Sequence, residues 1–314
     1  MKILVTGGAG FIGSNVVDAY LEAGHEVVVV DDLSSGSKSN LNPQAKFHQV
    51  DICDPALERI FAWEKPDIVN HHAAQISVPL SIEDPLRDAE INVKGLINIA
   101  QNCIKHHIKK IIFISSGGAI YGEAKEYPTT ETYPPEPLSV YAINKMAGEQ
   151  YLRFFRHQYG LKYTVLRYAN VFGPRQVSHG EAGVVSLFIQ KLLRGETPTI
   201  YVYPGEPEGM IRDYVYVQDV VCANLSVLDN GDNDVFNIGT GVETTTSLLY
   251  RTILWQLGKD ITPLSGPARK GDLHRSLLDS SKAFSILGWS PIYTLEQGVR
   301  ETIAYFRDRK PPVA

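Results

Sequence analysis

Short runs of β-branched and aliphatic residues alternate with longer amphipathic stretches along the first half of the chain. That pattern predicts repeated strand–helix–strand units and a mostly parallel sheet. Strands are expected at Ile3 to Val5, Val27 to Val30, Phe47 to Val50, Ile68 to Asn70, Ile111 to Ile114 and Tyr163 to Leu166. Near-continuous Val and Ile in these runs implies burial on both faces. The helical patterns at Ile12 to Ala23, Asp88 to His106 and Val140 to Tyr159 should therefore cover the two faces of a doubly wound (Rossmann) α/β fold. Tyr127 to Pro137, with four prolines, should loop over the start of the last of these helices.

After about residue 170 the alternation is interrupted by Gly173-Pro174, by Gly180 to Gly183 and by the Pro, Gly and Glu cluster at 204 to 209, which predicts a smaller C-terminal α/β region. Val235 to Gly239 again has the pattern of a buried strand, so the chain is expected to return to the first sheet before ending in a helix at Leu295 to Arg309. The expected division is 1–170 with returning segments at about 214–242, against 171–213 with 243–314.

A chain of 314 residues, 44% hydrophobic and 21% charged, can bury a full core, and disorder is a poor reading of it. Thirty basic against 35 acidic residues gives a net charge of −5, so no global basic field draws nucleic acid or anionic lipid, and an anionic ligand must be held by local groups. Cys53, Cys103 and Cys222 form no paired motif, which fits a reducing cytoplasm, and no apolar run is long enough for a signal core or a membrane span.

The first strand runs straight into Thr6-Gly7-Gly8-Ala9-Gly10-Phe11-Ile12-Gly13. Glycines at 7, 10 and 13 allow a tight turn, close backbone approach to a pyrophosphate, and close helix–sheet packing. The second strand ends in Asp31, eighteen residues after Gly13, where a carboxylate can accept from ribose hydroxyls and repel a 2′-phosphate; NAD is expected over NADP. Further on, Tyr141 and Lys145 stand four apart in a predicted helix and share a face, and the ammonium is expected to favour the phenolate. Ser116 follows a strand at the carboxyl edge, where ligands of open parallel sheets bind. Together these groups suit removal of an alcohol proton as hydride leaves to a nicotinamide.

The conjunction of that glycine turn with Ser115-Ser116, Tyr121-Gly122, Tyr141-x-x-x-Lys145, Leu166-Arg167-Tyr168-Ala169-Asn170 and Arg212-Asp213-Tyr214-Val215-Tyr216-Val217-x-Asp219-Val220 resembles the extended short-chain dehydrogenase/reductase family, and within it the UDP-glucose (galactose) 4-epimerases. The resemblance covers essentially the whole chain. It implies that Gly7, Gly10, Phe11, Ile12, Gly13, Asp31, Asp51, Ile52, Ala73, Ala74, Asn92, Tyr141, Lys145 and Tyr168 hold NAD and that Ser116, Tyr141 and Lys145 form the catalytic triad. It also implies that Asn170, Arg212, Arg269 and Asp272 bind the UDP-sugar and that the first region carries NAD and the second the nucleotide sugar. Ser276 aligns where relatives vary between a bulky tyrosine and a small residue, so acetamido sugars should be admitted alongside plain hexoses.

Two departures stand out: the segment from Tyr201 to Ile211 is longer than the usual short glycine turn, and Ser115-Ser116 precedes Tyr121 by one more residue than in many relatives. Gly117-Gly118 cannot supply the acid pair of the dehydratases. A UDP-glucuronate 4-epimerase, another nucleotide-sugar dehydratase or reductase, and a non-enzymatic NAD-binding regulatory module are the competing readings. His71-His72 and His106-His107 are read as strand-end packing and a helix terminus, with no metal expected. Tyr151, Phe154 and Phe155 are read as core or subunit interface, with a homodimer expected.

Overall fold

The computed structural model describes residues 1–177, 183–268 and 271–308; Gly180, Arg269 and the expected helix end at Arg309 lie outside them. Seven parallel strands form the central sheet. In chain order they are β1 (Lys2–Thr6), β2 (Glu26–Asp31), β3 (Lys46–Gln49), β4 (Ile68–His71), β5 (Lys110–Ser116), β6 (Lys162–Tyr168) and, last, the Asp234–Ile238 strand. Their spatial order is Asp234–Ile238, β6, β5, β4, β1, β2, β3, so the winding reverses between β1 and β4. A crevice opens at that point outside the carboxyl ends of the strands, the ligand position of doubly wound sheets.

The cause is in the strand sequences. Ile3 and Val5 point to one face and Leu4 to the other, and each side finds its own apolar layer. Val16, Val17, Tyr20, Val220 and Ala223 cover the first; Leu57, Phe61, Leu96, Ile99 and Leu152 cover the second. The helices supplying the first layer are α1 (Phe11–Glu22) and the Val217–Ser226 helix. The second comes from α2 (Leu57–Glu64), α5 (Gly95–Lys105) and α7 (Val140–Tyr159), with α3 (Val78–Glu83), α4 (Pro85–Ala89) and α6 (Gly117–Ile120) as short intervening turns.

All six expected strands and the returning seventh form, with β3 one residue earlier than its pattern predicts. The single helix expected from Asp88 to His106 is instead α4 and α5 joined by a π turn at Glu90–Lys94, which rotates the side chains that follow. The C-terminal region has its own core, built around Phe172, Phe188, Ile189, Leu249, Tyr250 and Val299. It also has short two-stranded pairings, among them Asn170–Phe172 with Tyr214–Tyr216. Of the aromatics on α7, Phe155 is core, whereas Tyr151 and Phe154 are exposed.

Candidate active site

The glycine turn is a cradle in which side chains have no room. A Cβ on Gly13 would stand 2.2 Å from the Gly7 carbonyl oxygen, and one on Gly7, at φ +69°, would stand 2.6 Å from the Ala73 nitrogen. Helix α1 begins at Phe11, so Gly13 lies inside its first turn. No side chain caps its N-terminus, which leaves the first-turn N–H groups for an anion. Asp31 ends β2 at 6% exposure; its Oδ2 accepts from the Ala9 N–H (3.0 Å) and its Oδ1 from the Leu33 N–H (2.8 Å). Burial raises its pKa and these two bonds lower it in part. Asp31 thus braces the turn from within. Across the crevice, Thr6 Oγ1 pairs with His71 Nδ1 (2.7 Å) and accepts from the Ala73 N–H, tying the Ala73-Ala74 loop to β1. Asp51 Oδ1 accepts from the Cys53 N–H (2.8 Å) in the loop after β3, and Ile52 packs under Gly95. These glycines, free amides and loop ends form a trough of the right chemistry for a dinucleotide.

The side chains of two expected cofactor residues are also tied into the protein. Asn92 is 2% exposed, its Nδ2 donating to the Gln75 carbonyl and to Asp88 Oδ1, and its Oδ1 accepting from the Gln75 N–H. Its side chain therefore ties the π turn to the Gln75 loop. The Tyr168 hydroxyl accepts from Asn224 Nδ2 at 2.6 Å, deep under the sheet edge.

Ser116, Tyr141 and Lys145 come together. Ser116 closes β5, and α7 starts with Ser139 as N-cap, its Oγ accepting from the Ala142 N–H. Buried Ser81 accepts from the Tyr141 N–H at 3.1 Å, a second cap supplied by α3. One turn on, Lys145 is 4% exposed, donates to the Ile114 carbonyl (3.0 Å) and lies 5.1 Å from the Phe113 ring and 5.9 Å from that of Tyr141. The two serines differ in role: the Ser115 hydroxyl donates inward to Glu149 Oε1 (2.6 Å), while the Ser116 hydroxyl is the one that favours the Tyr141 phenolate.

The electrostatics correct one expectation. Burial pushes the Tyr141 phenol up to about 12, and Ser116 recovers part of that. The lysine head is drawn to the Ile114 carbonyl, and desolvation of a phenolate outweighs a cation so placed. Lys145 itself is lowered to about 8 by burial, against the pull of Asp88 and Glu149.

On the other side of the crevice Asn170 Oδ1 is buried without a partner, and it and Ser276 Oγ stand 3.4 and 3.9 Å from where a Cβ on Gly118 would be. Ser276 is 6% exposed, so its hydroxyl is buried close to Gly118 and away from solvent. Arg212 Nη1 donates only to the Ile211 and His274 carbonyls, and among the described residues no carboxylate pairs with it. The Asp272 carbonyl accepts from the Tyr203 hydroxyl, and Tyr203 stacks on His274 at 3.6 Å, so the long 201–211 segment leans on the 272–274 stretch.

Sequence reasoning missed the buried polar groups behind the site: Asp88 and Gln75, Asn144, and the Glu149–Arg167 pair with Tyr121 and Asn237. Glu149 had a weak signal, one turn beyond Lys145 on the same face.

Residues 3–239 match the NAD dependent epimerase/dehydratase family. The UDP-glucose 4-epimerase of Mycolicibacterium smegmatis is 44% identical over 315 residues, covering 98% of this chain and 99% of that one. Among solved structures, the UDP-glucose 4-epimerase of Thermotoga maritima with UDP-glucose superposes at a TM-score of 0.95, with 52% identity and coverage of 98% and 99%. A UDP-N-acetylglucosamine 4-epimerase from Methanobrevibacter ruminantium, in complex with UDP-N-acetylmuramic acid, superposes at 0.91 with 37% identity and 98% coverage of both chains. With its reversed winding, glycine cradle and Ser, Tyr and Lys cluster at the sheet edge, this chain belongs to the NAD dependent epimerase/dehydratase family.

Proposed function

We propose that the chain interconverts the C4 epimers of UDP-hexoses, UDP-glucose and UDP-galactose first, through a transient 4-keto sugar. The observation that carries this is the convergence of Ser116, Tyr141 and Lys145 on the crevice that the glycine turn opens, with Gly117-Gly118 in place of an acid pair after the serine. NAD, when bound, would supply reversible hydride transfer at sugar C4.

The chain's own residues do the rest. Gly7, Gly10 and the first turn of α1 at Phe11, Ile12 and Gly13 receive the pyrophosphate. Asp31, Asp51 and Ile52 line the adenosine end, and Ala73, Ala74 and Tyr168 line the nicotinamide end, with Asn92 acting through the Gln75 loop. Tyr141 takes the C4 hydroxyl proton, Ser116 hydrogen-bonds the same oxygen, and the Lys145 ammonium offsets the developing negative charge. Arg212 and Arg269 grip the diphosphate, while Asn170 and Asp272 orient the sugar and uridine. In the 4-keto sugar C4 is planar, and with the UDP anchored by these side chains the sugar could present either face of C4, which would allow inversion there with no net redox change. Residues 1–170 and 214–242 carry the cofactor; 171–213 and 243–314 carry the nucleotide sugar.

Ser276 supports a wider substrate range. A small buried side chain beside Gly118 and Asn170 leaves volume that a phenol would fill, and a relative of known structure is a UDP-N-acetylglucosamine 4-epimerase. The working unit is a homodimer: Ile143, Tyr151 and Phe154 form an exposed apolar stripe on α7, with Ile82 and Leu86, the latter 82% exposed, on the neighbouring α3 and α4. The test is incubation with UDP-glucose, UDP-galactose, their 2-acetamido forms and UDP-glucuronate, then separation of the 4-epimers. Epimers of the plain and acetamido hexoses are expected. Turnover of UDP-glucuronate alone, or release of a dehydrated sugar, contradicts the reading.

A further inference from the structure

The charged and titratable groups around Lys145 are easily partitioned. Glu149, one turn further along α7, is locked to Arg167 of β6 through Oε2 to Nη2 (2.6 Å) and Oε1 to Nε (3.0 Å), so its charge is already balanced. His71 and His72, from the end of β4, are kept neutral by burial. Ser116 of β5 and Tyr141 itself complete the shell. Asp88 of α4 remains, and it is 1% exposed.

Its oxygens meet amides alone. Oδ1 accepts from Asn92 Nδ2 (3.1 Å) and Asn144 Nδ2 (2.7 Å), and Oδ2 from Gln75 Nε2 (2.6 Å). Among the described residues it forms no ion pair. An asparagine there would turn its NH₂ toward at least one of these donors. Gln75 cannot simply turn over to accept from it, because Gln75 Oε1 already accepts from the Ser77 N–H. The pocket is therefore built for a full negative charge. The three amides come from the loop that closes on the cofactor crevice, from the π turn, and from the residue next to Lys145.

We propose that Asp88 is a positioning residue: its buried, amide-held carboxylate is the counter-charge that keeps Lys145 protonated, and it sets α7 in place against the 73–77 loop. This rests on the epimerase reading, in which Lys145 must be cationic while Tyr141 accepts a proton. Of the two carboxylates that oppose the burial of Lys145, Asp88 is the stronger, and it also disfavours the Tyr141 phenolate. Removing its charge makes Lys145 give up its proton, and Tyr141 its own, at lower pH. Both limbs of a pH–rate profile then move the same way.

The experiment compares the pH dependence of epimerisation kcat, and separately of NAD affinity by calorimetry, for wild type, Asp88→Asn, Asp88→Ser and Asn144→Ala. Both neutral variants at 88 are expected to displace the kcat profile toward acid by about one pH unit, with the alkaline fall of NAD affinity displaced likewise. Asn144→Ala, which loosens the link and keeps the charge, should lower kcat with the profile in place. Unshifted profiles in both Asp88 variants overturn the proposal. So does failure of both to fold, which would assign Asp88 to stability alone. If wild type turns over no UDP-sugar, the epimerase reading fails, and Asp88 is judged on the NAD titration.

Discussion

Tyr141 and Lys145 carry different loads, and substitutions should separate them. Tyr141→Phe removes the proton acceptor without removing ring volume, so kcat should fall by at least about 10²-fold while bound NAD, measured by absorbance after denaturation, stays at the wild-type level. Lys145→Ala removes a buried cation, and both kcat and NAD content should fall. Near wild-type turnover of Tyr141→Phe would contradict the assignment. At the sugar end, Ser276→Tyr fills the space beside Gly118. The kcat/KM ratio of acetamido to plain sugars should drop by at least about tenfold, the scale of a steric misfit costing about 1–3 kcal/mol. An unchanged ratio would show that Ser276 does not gate the pocket.

Elements hold these residues in register through a buried polar chain. Arg167 of β6 pairs with Glu149 of α7; Arg167 Nη1 also donates to the Tyr121 hydroxyl, which donates to Asn237 Oδ1 on the last strand of the sheet. Ser115 adds β5 to the same carboxylate. Three strands and the helix bearing Tyr141 are thereby fixed within one network, adjacent to Ser116 and Tyr168. Breaking one partner leaves an uncompensated buried charge, so Arg167→Met alone should lose about 3–5 kcal/mol in urea unfolding. The double variant with Glu149→Leu should recover part of that loss. Additive losses would mean that the pair is not coupled.

For the whole molecule, His71 and His72 make stability fall on the acid side. Both are neutral in the fold, His72 lowered to about 3 by burial, with Nε2 shut away without a partner. Below the ordinary histidine value near 6.5 the unfolded chain binds protons that the folded chain refuses. Unfolding free energy should therefore decline from about pH 7.5 through 6.5 to 5.5, by at most about 1.4 kcal/mol per unit per histidine. Buried Asp31, Asp213 and Asp219, whose pKa values are raised, act in the opposite sense nearer the carboxylate range. His72→Leu should flatten the slope, and an unchanged slope would remove His72 from the account. Oligomeric state is read by light scattering: wild type should elute as a dimer, and Phe154→Asp with Ile143→Asp should shift it toward monomer.

Periodicity and local chemistry alone determined the strand positions, the two-sided burial of the sheet, the return of 235–239, the glycine turn and the grouping of Tyr141 with Lys145. Each of these depends on residues within a few positions of one another, or on a repeat that local geometry imposes. What only the tertiary structure decided involves long separations. Ser116 rather than Ser115 faces Tyr141 because Glu149 claims the other hydroxyl. Ser276 meets Gly118 from 158 positions further along the chain. Asn92 turns inward to Gln75 and Asp88, where a helical pattern shows merely a polar residue on a helix. The phenol of Tyr141 is raised rather than lowered because its solvent is removed by neighbours from several elements, and desolvation is a property of the enclosure, not of the sequence beside it.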